Sequence, residues 1–347
     1  MAQELSARCK RIRERLVNFE PIICPEGAVI WTESFKKTED QPPVLQAAMA
    51  LKALLEQKTI FINEDELLVG NQGSALRAAP VHPQITNWYY NELDKFNFRK
   101  ASKFTITEEA KEQIRSVQDY WKGKTVIERT YALLPQEAVD SMDSKMFTCA
   151  YTLNKGTGHF LLNFEKVLKD GFYGIEKECK EKLDHLDYAN PEDFEKISLY
   201  KALIMTCQSV KTFAQRYADL AREMAEKEKD EVRKKELLTI AANCEKVPYY
   251  PADNFYEAVQ STWFVQLISQ IESDGTGVSI GRLDYFLWPY YEKDVKENKL
   301  TPEFAGELMD SFWLKCGEVL EVWNEEDTKA FGGHPISQTI TLGGTDE

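Results

Sequence analysis

The chain has 347 residues, with 43 lysines and arginines against 57 aspartates and glutamates, which gives a formal net charge of −14 at pH 7. Its 43% hydrophobic and 29% charged content is typical of a globular protein and excludes a disordered or fibrous one. Because an acidic surface repels phosphate groups, we do not expect binding to nucleic acid or to an anionic membrane.

The cysteines and the N-terminus restrict the class of protein further. Seven cysteines are scattered along the chain without a CxxC pair, which argues against disulfides and against zinc or iron–sulfur ligation. The opening stretch MAQELSARCKRIRERL is charged and lacks the apolar core of a signal peptide. No apolar stretch approaches the ~20 residues that a membrane span requires. We therefore expect a cytoplasmic protein without a metal centre.

Helices dominate the predicted secondary structure. Apolar residues recur at helical spacing over residues 4–19, 44–57, 199–244, 254–271 and 301–322. The charged stretch AEKEKDEVRKKE inside the third of these segments is interpreted as the turn of a helical hairpin rather than as one solvated helix face.

Strand candidates are short and lie at residues 59–63, 67–69 and 339–342. The last of them enters a Gly-Gly turn and has no obvious partner among the earlier candidates. Either it closes a small sheet, or the chain stops part-way through a larger domain, and we favour the second interpretation.

The chain has four histidines, and their surroundings differ. His185 lies in a charged helical stretch and is expected at the surface, His82 lies between prolines and is expected to be structural, and His334 follows two glycines in a turn. His159 follows Lys-Gly-Thr-Gly and precedes an apolar segment, where a histidine can orient a polar substrate or exchange a proton. On these residues alone a structural role for His159 is still favoured.

The segment IESDGTGVSIGRLDYFLWPYYEKD, residues 271–294, is the densest site candidate. Polar residues at the end of an apolar helix are followed by glycines and an aromatic cluster, a combination found in small-molecule pockets. The alternative is a tight corner between helices with an internal pair of Arg282 and Asp284. The sequence contains no phosphate loop, dinucleotide fingerprint, GxSxG, HExxH or paired-carboxylate signature. The residues therefore predict a pocket without an identifiable catalytic group.

Five segments, in order, resemble the N-terminal half of the glycyl radical enzymes, in the pyruvate formate-lyase-like branch that contains the B12-independent glycerol and diol dehydratases. The resemblance extends over essentially all 347 residues. The segments are EGAVIWTESFKKTEDQPPVLQAAMALKALLE, NEDELLVGNQGSALRAAPVHPQ, GTGHFLLNFEKVLKDGFYGI, FYEAVQSTWFVQLISQIESDGTGVSIGRLDYFLWPYYEKD and FGGHPISQTITLGG.

The resemblance implies an α/β fold, the mostly helical N-terminal half of a ten-stranded barrel, with residues 1–347 as one pyruvate formate-lyase-type domain. An activating enzyme that uses S-adenosylmethionine and an iron–sulfur cluster makes a glycine radical in this family. The radical passes to a cysteine, whose thiyl form abstracts hydrogen from the substrate. The family's Gly-Cys-Val/Ile-Glu and Arg-Val-Ala-Gly-Tyr loops do not occur here, and neither Cys149 nor Cys316 has such a context.

The resemblance therefore implies no catalytic residue, no metal and no bound cofactor within these residues. The chain alone is expected to be inactive. The full-length form is expected to be a homodimer that works with the radical-SAM activating enzyme on a small-molecule substrate.

Four residues are predicted to bind substrate. His159 matches the histidine that contacts a substrate hydroxyl in the dehydratases, whereas their His-Ser pair is replaced here by Thr276-Gly277. Losing a partner of a substrate hydroxyl can change specificity by orders of magnitude, so glycerol itself is not expected as the substrate. We expect Asp274 and Thr276 to supply polar contacts and Gly277 to leave room for a bulkier substrate.

Three functions remain open. The leading one is radical elimination, as in a dehydratase, on a small diol-like substrate. The second is cleavage of a C–C, C–N or C–S bond, for example in choline or isethionate. The third is a catalytically silent fragment or split-gene half that acts as a scaffold.

Overall fold

The structure, a computed structural model, describes residues 4–147, 154–331 and 337–344. The helices are α1 (Ala7–Asn18), α2 (Glu26–Lys37), α3 (Pro43–Gln57), α4 (Glu108–Ser116), α5 (Gln118–Trp121), α6 (Val126–Leu133), α7 (Gln136–Asp143), α8 (Phe164–Asp184), α9 (Pro191–Lys227), α10 (Glu231–Lys246), α11 (Phe255–Ser273), α12 (Leu283–Lys296), α13 (Pro302–Glu318) and α14 (Glu325–Phe331). The strands are β1 (Ile22–Cys24), β2 (Ala78–Pro80), β3 (Phe160–Leu161) and β4 (Val278–Ser279).

Each predicted helix is present, and the helices begin where side chains can accept backbone hydrogen bonds. Ser6 caps α1, Thr301 caps α13 and Asp230 caps α10, each through a side-chain oxygen that accepts a backbone N–H. Helices α9 and α10 form the predicted hairpin, which turns at residues 228–230. Helix α13 ends at Glu318 and is therefore shorter than the predicted segment, which extends to residue 322.

Helix α11 lies at the centre of the core. It is buried on all sides and packs against α8, α10, α12 and α13. Its rings Trp263 and Phe264 contact Phe312 of α13 and Phe213 of α9 in edge-to-face geometry. Because this helix is held from every side, the loop that begins at its C-terminus has a fixed starting position.

The strands predicted at residues 59–63 and 67–69 are wrong, because side chains rather than neighbouring strands complete the backbone hydrogen bonds there. The amide of Gln260 both accepts from Val69 N and donates to Val69 O, at 2.9 Å each. Asn71 pairs in the same way with an amide and a carbonyl of the first segment. Extended chain at both places is therefore bonded to side chains.

The strands form two small parallel sheets among the described residues. Strand β1 pairs with β2, with Ile22 opposite Ala78, and Ile22 also bridges to Thr105. Strand β3 pairs with β4. The prediction of a mostly helical α/β fold with few strands is confirmed.

The strand predicted at 339–342 is reduced to one bridge. Ile340 pairs in parallel with Gly281, and Ile280 N donates to Thr339 O at 2.9 Å. This segment extends the edge of the β3–β4 pair, so its partner is the backbone that follows β4.

Candidate functional site

Two Gly-Thr-Gly turns, residues 156–158 before β3 and 275–277 before β4, face each other. The backbone N–H of His159 donates to Thr276 O at 2.9 Å. A Cβ built on Gly158 would lie 2.1 Å from Thr276 O, so any side chain there would separate the turns. The glycines therefore allow the two backbones to approach closely, and β3 and β4 continue this contact.

The imidazole ring of His159 packs against the backbone of Gly277. A Cβ at position 277 would be 3.2 Å from Nδ1 of His159, and the two residues have φ of +76° and +54°, respectively. The imidazole is otherwise exposed. The side chain missing at position 277 thus provides the space that the histidine ring occupies.

Asp274 carries the negative charge at the end of α11, where its own φ is +48°. Its Oδ1 lies 3.2 Å from Lys155 Nζ and 3.5 Å from His82 Nδ1, and all three side chains are at most 10% exposed. Burial by itself raises the pKa of Asp274, but the lysine and histidine outweigh burial and lower the pKa below its usual value. Asp274 is therefore an ionised group inside a buried cluster.

Glu321 is the second carboxylate of this cluster. Thr276 Oγ1 donates to Glu321 Oε2 at 2.7 Å, and Lys155 Nζ lies 3.7 Å from the same oxygen. Lys155 also donates to Val322 O at 2.9 Å. Burial raises the pKa of Glu321 to about 7; Lys155 opposes the increase, and the charge of Asp274 adds to it.

The four predicted residues thus lie together on the two facing turns, but three of their neighbours were missed by sequence reasoning. His82, interpreted only as structural, is buried and bonds Ile271 O at 3.1 Å while facing Asp274. Lys155 directly precedes the first turn, and Glu321 is the one charged residue in the apolar stretch VLEVW. A charge in such an apolar stretch is the sequence signal that could have identified Glu321.

The remaining sequence predictions concern single residues. His185 is exposed, as predicted. Burial raises the pKa of Cys316 to about 12, which disfavours the nucleophilic thiolate form. Cys149 and His334 lie outside the described residues. Among those described, no group of histidines, cysteines and carboxylates is arranged to hold a metal ion, and none of the helices has the length and apolarity to cross a bilayer.

An open cavity of about 530 Å³ adjoins the first turn, and its wall includes Lys155, Gly156, Thr157, Phe160 and Ser273. The four residues predicted to bind substrate lie next to this wall in the chain but are not part of it. Exposed backbone and polar side chains beside apolar rings suit a small polar ligand. Lys155 belongs both to this wall and to the buried cluster.

A helical shell around short parallel strands agrees with the architecture that the resemblance to the glycyl radical enzymes implies. Residues 2–347 match the family described as pyruvate formate lyase-like, and the chain belongs to that family. The predicted glycyl radical enzyme resemblance is confirmed.

Several relatives are similar over nearly the whole chain. The probable dehydratase YbiW of Escherichia coli K12 is 36% identical over 98% of this chain and 42% of its own length. Isethionate sulfite-lyase of Desulfovibrio desulfuricans is also 36% identical, over 97% of this chain and 42% of its own. The glycerol-bound B12-independent glycerol dehydratase from Clostridium butyricum superposes with a TM-score of 0.96 at 37% identity, over 99% of this chain and 43% of that one.

The chain therefore spans about two-fifths of the length of the curated relatives that it matches. This coverage fits the predicted correspondence to the N-terminal half of a longer enzyme.

Proposed function

We propose that residues 1–347 form a pyruvate formate-lyase-type domain of a glycyl radical enzyme that removes a group from a small, diol-like substrate. The observation that supports this most is the meeting of His159 and Thr276 across a 2.9 Å backbone hydrogen bond, where the first of the two turns also lines an open cavity through Gly156 and Thr157. The family contains dehydratases that resemble the chain over nearly all of its residues.

In this proposal His159 and Thr276 contact the substrate directly. The exposed imidazole binds a substrate hydroxyl and transfers a proton to the leaving oxygen. The hydroxyl of Thr276 donates to Glu321, so its oxygen is left to accept a hydrogen bond. Asp274, which the sequence predicted to contact the substrate, holds the turn through Lys155 instead, and Gly277 keeps room for the histidine ring.

A glycyl radical and a cysteine outside these residues supply the abstraction of a hydrogen atom in this proposal. We propose that a radical-SAM activating enzyme installs the radical and that the full-length form is a homodimer. The described residues position the substrate and shield it with a thick helical shell.

Cleavage of a C–S, C–N or C–C bond is the second candidate. The isethionate sulfite-lyase of Desulfovibrio desulfuricans is as similar to this chain as the probable dehydratase is, at 36% identity. Gly277, which carries no side chain to bond a substrate hydroxyl, also favours it.

The test is an anaerobic assay of the full-length, activated protein against 1,2-propanediol, glycerol, choline and isethionate. We expect turnover of a diol other than glycerol, whereas glycerol as the best substrate would contradict our interpretation of Gly277. His159→Gln should lower kcat/KM by about 100-fold or more, because it removes a positioned acid–base group. The matched control His185→Gln, at an exposed position, should leave turnover unchanged. A radical-carrying enzyme that turns over no member of the panel would refute the dehydratase proposal.

A further inference from the structure

Glu321 is a buried carboxylate whose hydrogen-bond partner in the candidate site is Thr276. Its side chain is 2% exposed, and its Oε2 accepts the hydrogen of Thr276 Oγ1 at 2.7 Å. No donor among the described residues hydrogen-bonds its other oxygen, Oε1. A buried carboxylate oxygen without a donor is costly, so the group's position calls for an explanation beyond packing.

The protonation state of Glu321 decides what the hydroxyl of Thr276 can offer a ligand. An ionised carboxylate can only accept, so Thr276 must donate to it and presents only lone pairs elsewhere. A protonated Glu321 can donate to Thr276 instead, and the hydroxyl hydrogen then becomes available for a ligand. Whether the hydroxyl of Thr276 donates to a ligand or accepts from it is therefore decided by the buried carboxyl group of Glu321.

The charged groups around Glu321 also affect which ligands the site can bind. Two carboxylates, Glu321 and Asp274, share the single ammonium of Lys155. His82 faces Asp274 from the other side. Tyr89 also interacts with Asp274, but its hydroxyl stays neutral because burial raises its pKa well above the usual value. Ionisation of Glu321 adds one negative charge to this cluster. A negative charge behind an accepting hydroxyl repels anions and favours a neutral group that donates.

We propose that Glu321 is a positioning residue that acts through Thr276, so that the site selects neutral substrates donating a hydroxyl hydrogen bond and rejects anionic ones such as sulfonates. This inference rests on the proposed function, because it concerns the substrate of the same site. The inference also separates dehydration of a neutral diol from C–S bond cleavage of isethionate, because only isethionate is anionic.

The test compares 1,2-propanediol with isethionate in the full-length, activated protein and its Glu321→Gln variant. Glutamine keeps the shape but removes the charge and can donate to Thr276. The ratio of kcat/KM for the diol to that for isethionate should fall about tenfold, mainly through a lower KM for isethionate. An unchanged ratio in the variant overturns the proposal.

A pH series separates this role from a structural one. Because the pKa of Glu321 is about 7, raising the pH from about 6 to about 8 ionises it and should increase the wild-type ratio. The ratio should be independent of pH in Glu321→Gln and in Thr276→Val. The matched control is Glu318→Gln, since Glu318 is also buried but bonds Lys315, away from the turns. It should keep the wild-type pH dependence.

A measurement without turnover keeps the inference testable if the proposed reaction is wrong. Burial raises the pKa of Glu318 to about 7 as well, so the infrared difference spectra are recorded on the substrate-free Glu318→Gln variant. There the band of one protonated carboxyl should disappear as the pH rises through about 7. That band should be absent when Glu321→Gln is added to this variant and shifted when Thr276→Val is added. If Glu321 is ionised throughout, or if Thr276→Val leaves the band unmoved, the inference fails even where a substrate is found. If the band behaves as expected but no diol reacts, the proposed function fails alone.

Discussion

The side chain of Lys155 is 4% exposed, and acceptors surround its ammonium group. Asp274 Oδ1 and Val322 O lie at 3.2 Å and 2.9 Å, and the ring of Trp323 lies 4.7 Å away. The two carboxylates of the cluster depend in turn on this one cation. Removing one partner of a buried ion pair leaves the others uncompensated.

We therefore expect Lys155→Met to destabilise the protein strongly. The change leaves Asp274 and Glu321 without their counter-ion, and the free energy of unfolding should fall by about 3–5 kcal/mol. Urea denaturation measures the loss. Lys227→Met is the control, because Lys227 pairs with Glu223 on the surface and its removal should change nothing measurable. A loss equal to that of the control would show that the cluster does not depend on Lys155.

The sequence alone identifies His159, Asp274, Thr276 and Gly277 as neighbours, because motif resemblance places them on particular turns. It does not identify the roles of Lys155 and Glu321. Those roles come from burial of both groups against residues more than a hundred positions away, such as Lys155 with Val322. Nothing in the local sequence specifies that contact.

At the scale of elements, the contact between the two Gly-Thr-Gly turns should be sensitive to a single methyl group. Gly158 has no positive φ, so alanine is tolerated by the backbone, but its Cβ would lie 2.1 Å from Thr276 O. Gly158→Ala should separate the turns and lower the free energy of unfolding by about 1–3 kcal/mol, as overpacking does. Calorimetry of the melting transition measures this effect.

Gly27→Ala is the matched control for that change. Its Cβ would meet its neighbours at ordinary contact distances, 3.8 Å and 3.9 Å, within helix α2. Alanine should stabilise the helix there by about 0.4–1 kcal/mol. Equal effects of the two substitutions would mean that the turns are not in tight contact.

Gln260 is expected to stabilise the extended segment at residues 67–69. Replacing it by leucine leaves both the N–H and the C=O of Val69 buried without a partner, which should lower the free energy of unfolding by about 2–4 kcal/mol. Chemical denaturation tests this against Gln215→Leu, whose amide donates only to Asp219 on the same helix. A loss no larger than that of Gln215→Leu would assign the segment's position to packing alone.

Helices were predictable and these extended segments were not, for one physical reason. A helix such as α11 is bonded within its own sequence, so periodicity and a cap at Asn254 locate it. The backbone of Val69 is hydrogen-bonded to the side chain of Gln260, 191 residues away in the sequence. Nothing in the local sequence shows that a distant side chain, rather than a neighbouring strand, supplies these bonds. The short apolar segment therefore resembles a strand although it pairs with none.

At the scale of the whole molecule, the described residues leave an apolar groove of about 350 Å³ beside the segment that pairs with the backbone following β4. It is lined by Leu287, Trp288, Trp313 and Leu342, and Trp288 is 55% exposed. The match extends over about two-fifths of the length of these relatives, and in the proposed function the radical glycine and the cysteine lie outside residues 1–347. Radical chemistry would then require both portions.

That proposal predicts a difference between residues 1–347 expressed alone and the full-length protein. No Arg-Val-Ala-Gly-Tyr or Gly-Cys-Val/Ile-Glu sequence occurs in these residues. After anaerobic incubation with the activating enzyme and S-adenosylmethionine, electron paramagnetic resonance should detect a glycyl radical only in the full-length protein. The control is the full-length protein with its radical glycine replaced by alanine, which should give no signal. Circular dichroism of residues 1–347 verifies that the portion is folded, so a missing signal reports missing chemistry. A radical on residues 1–347 alone would place the radical site within them and would contradict the division of the enzyme proposed here.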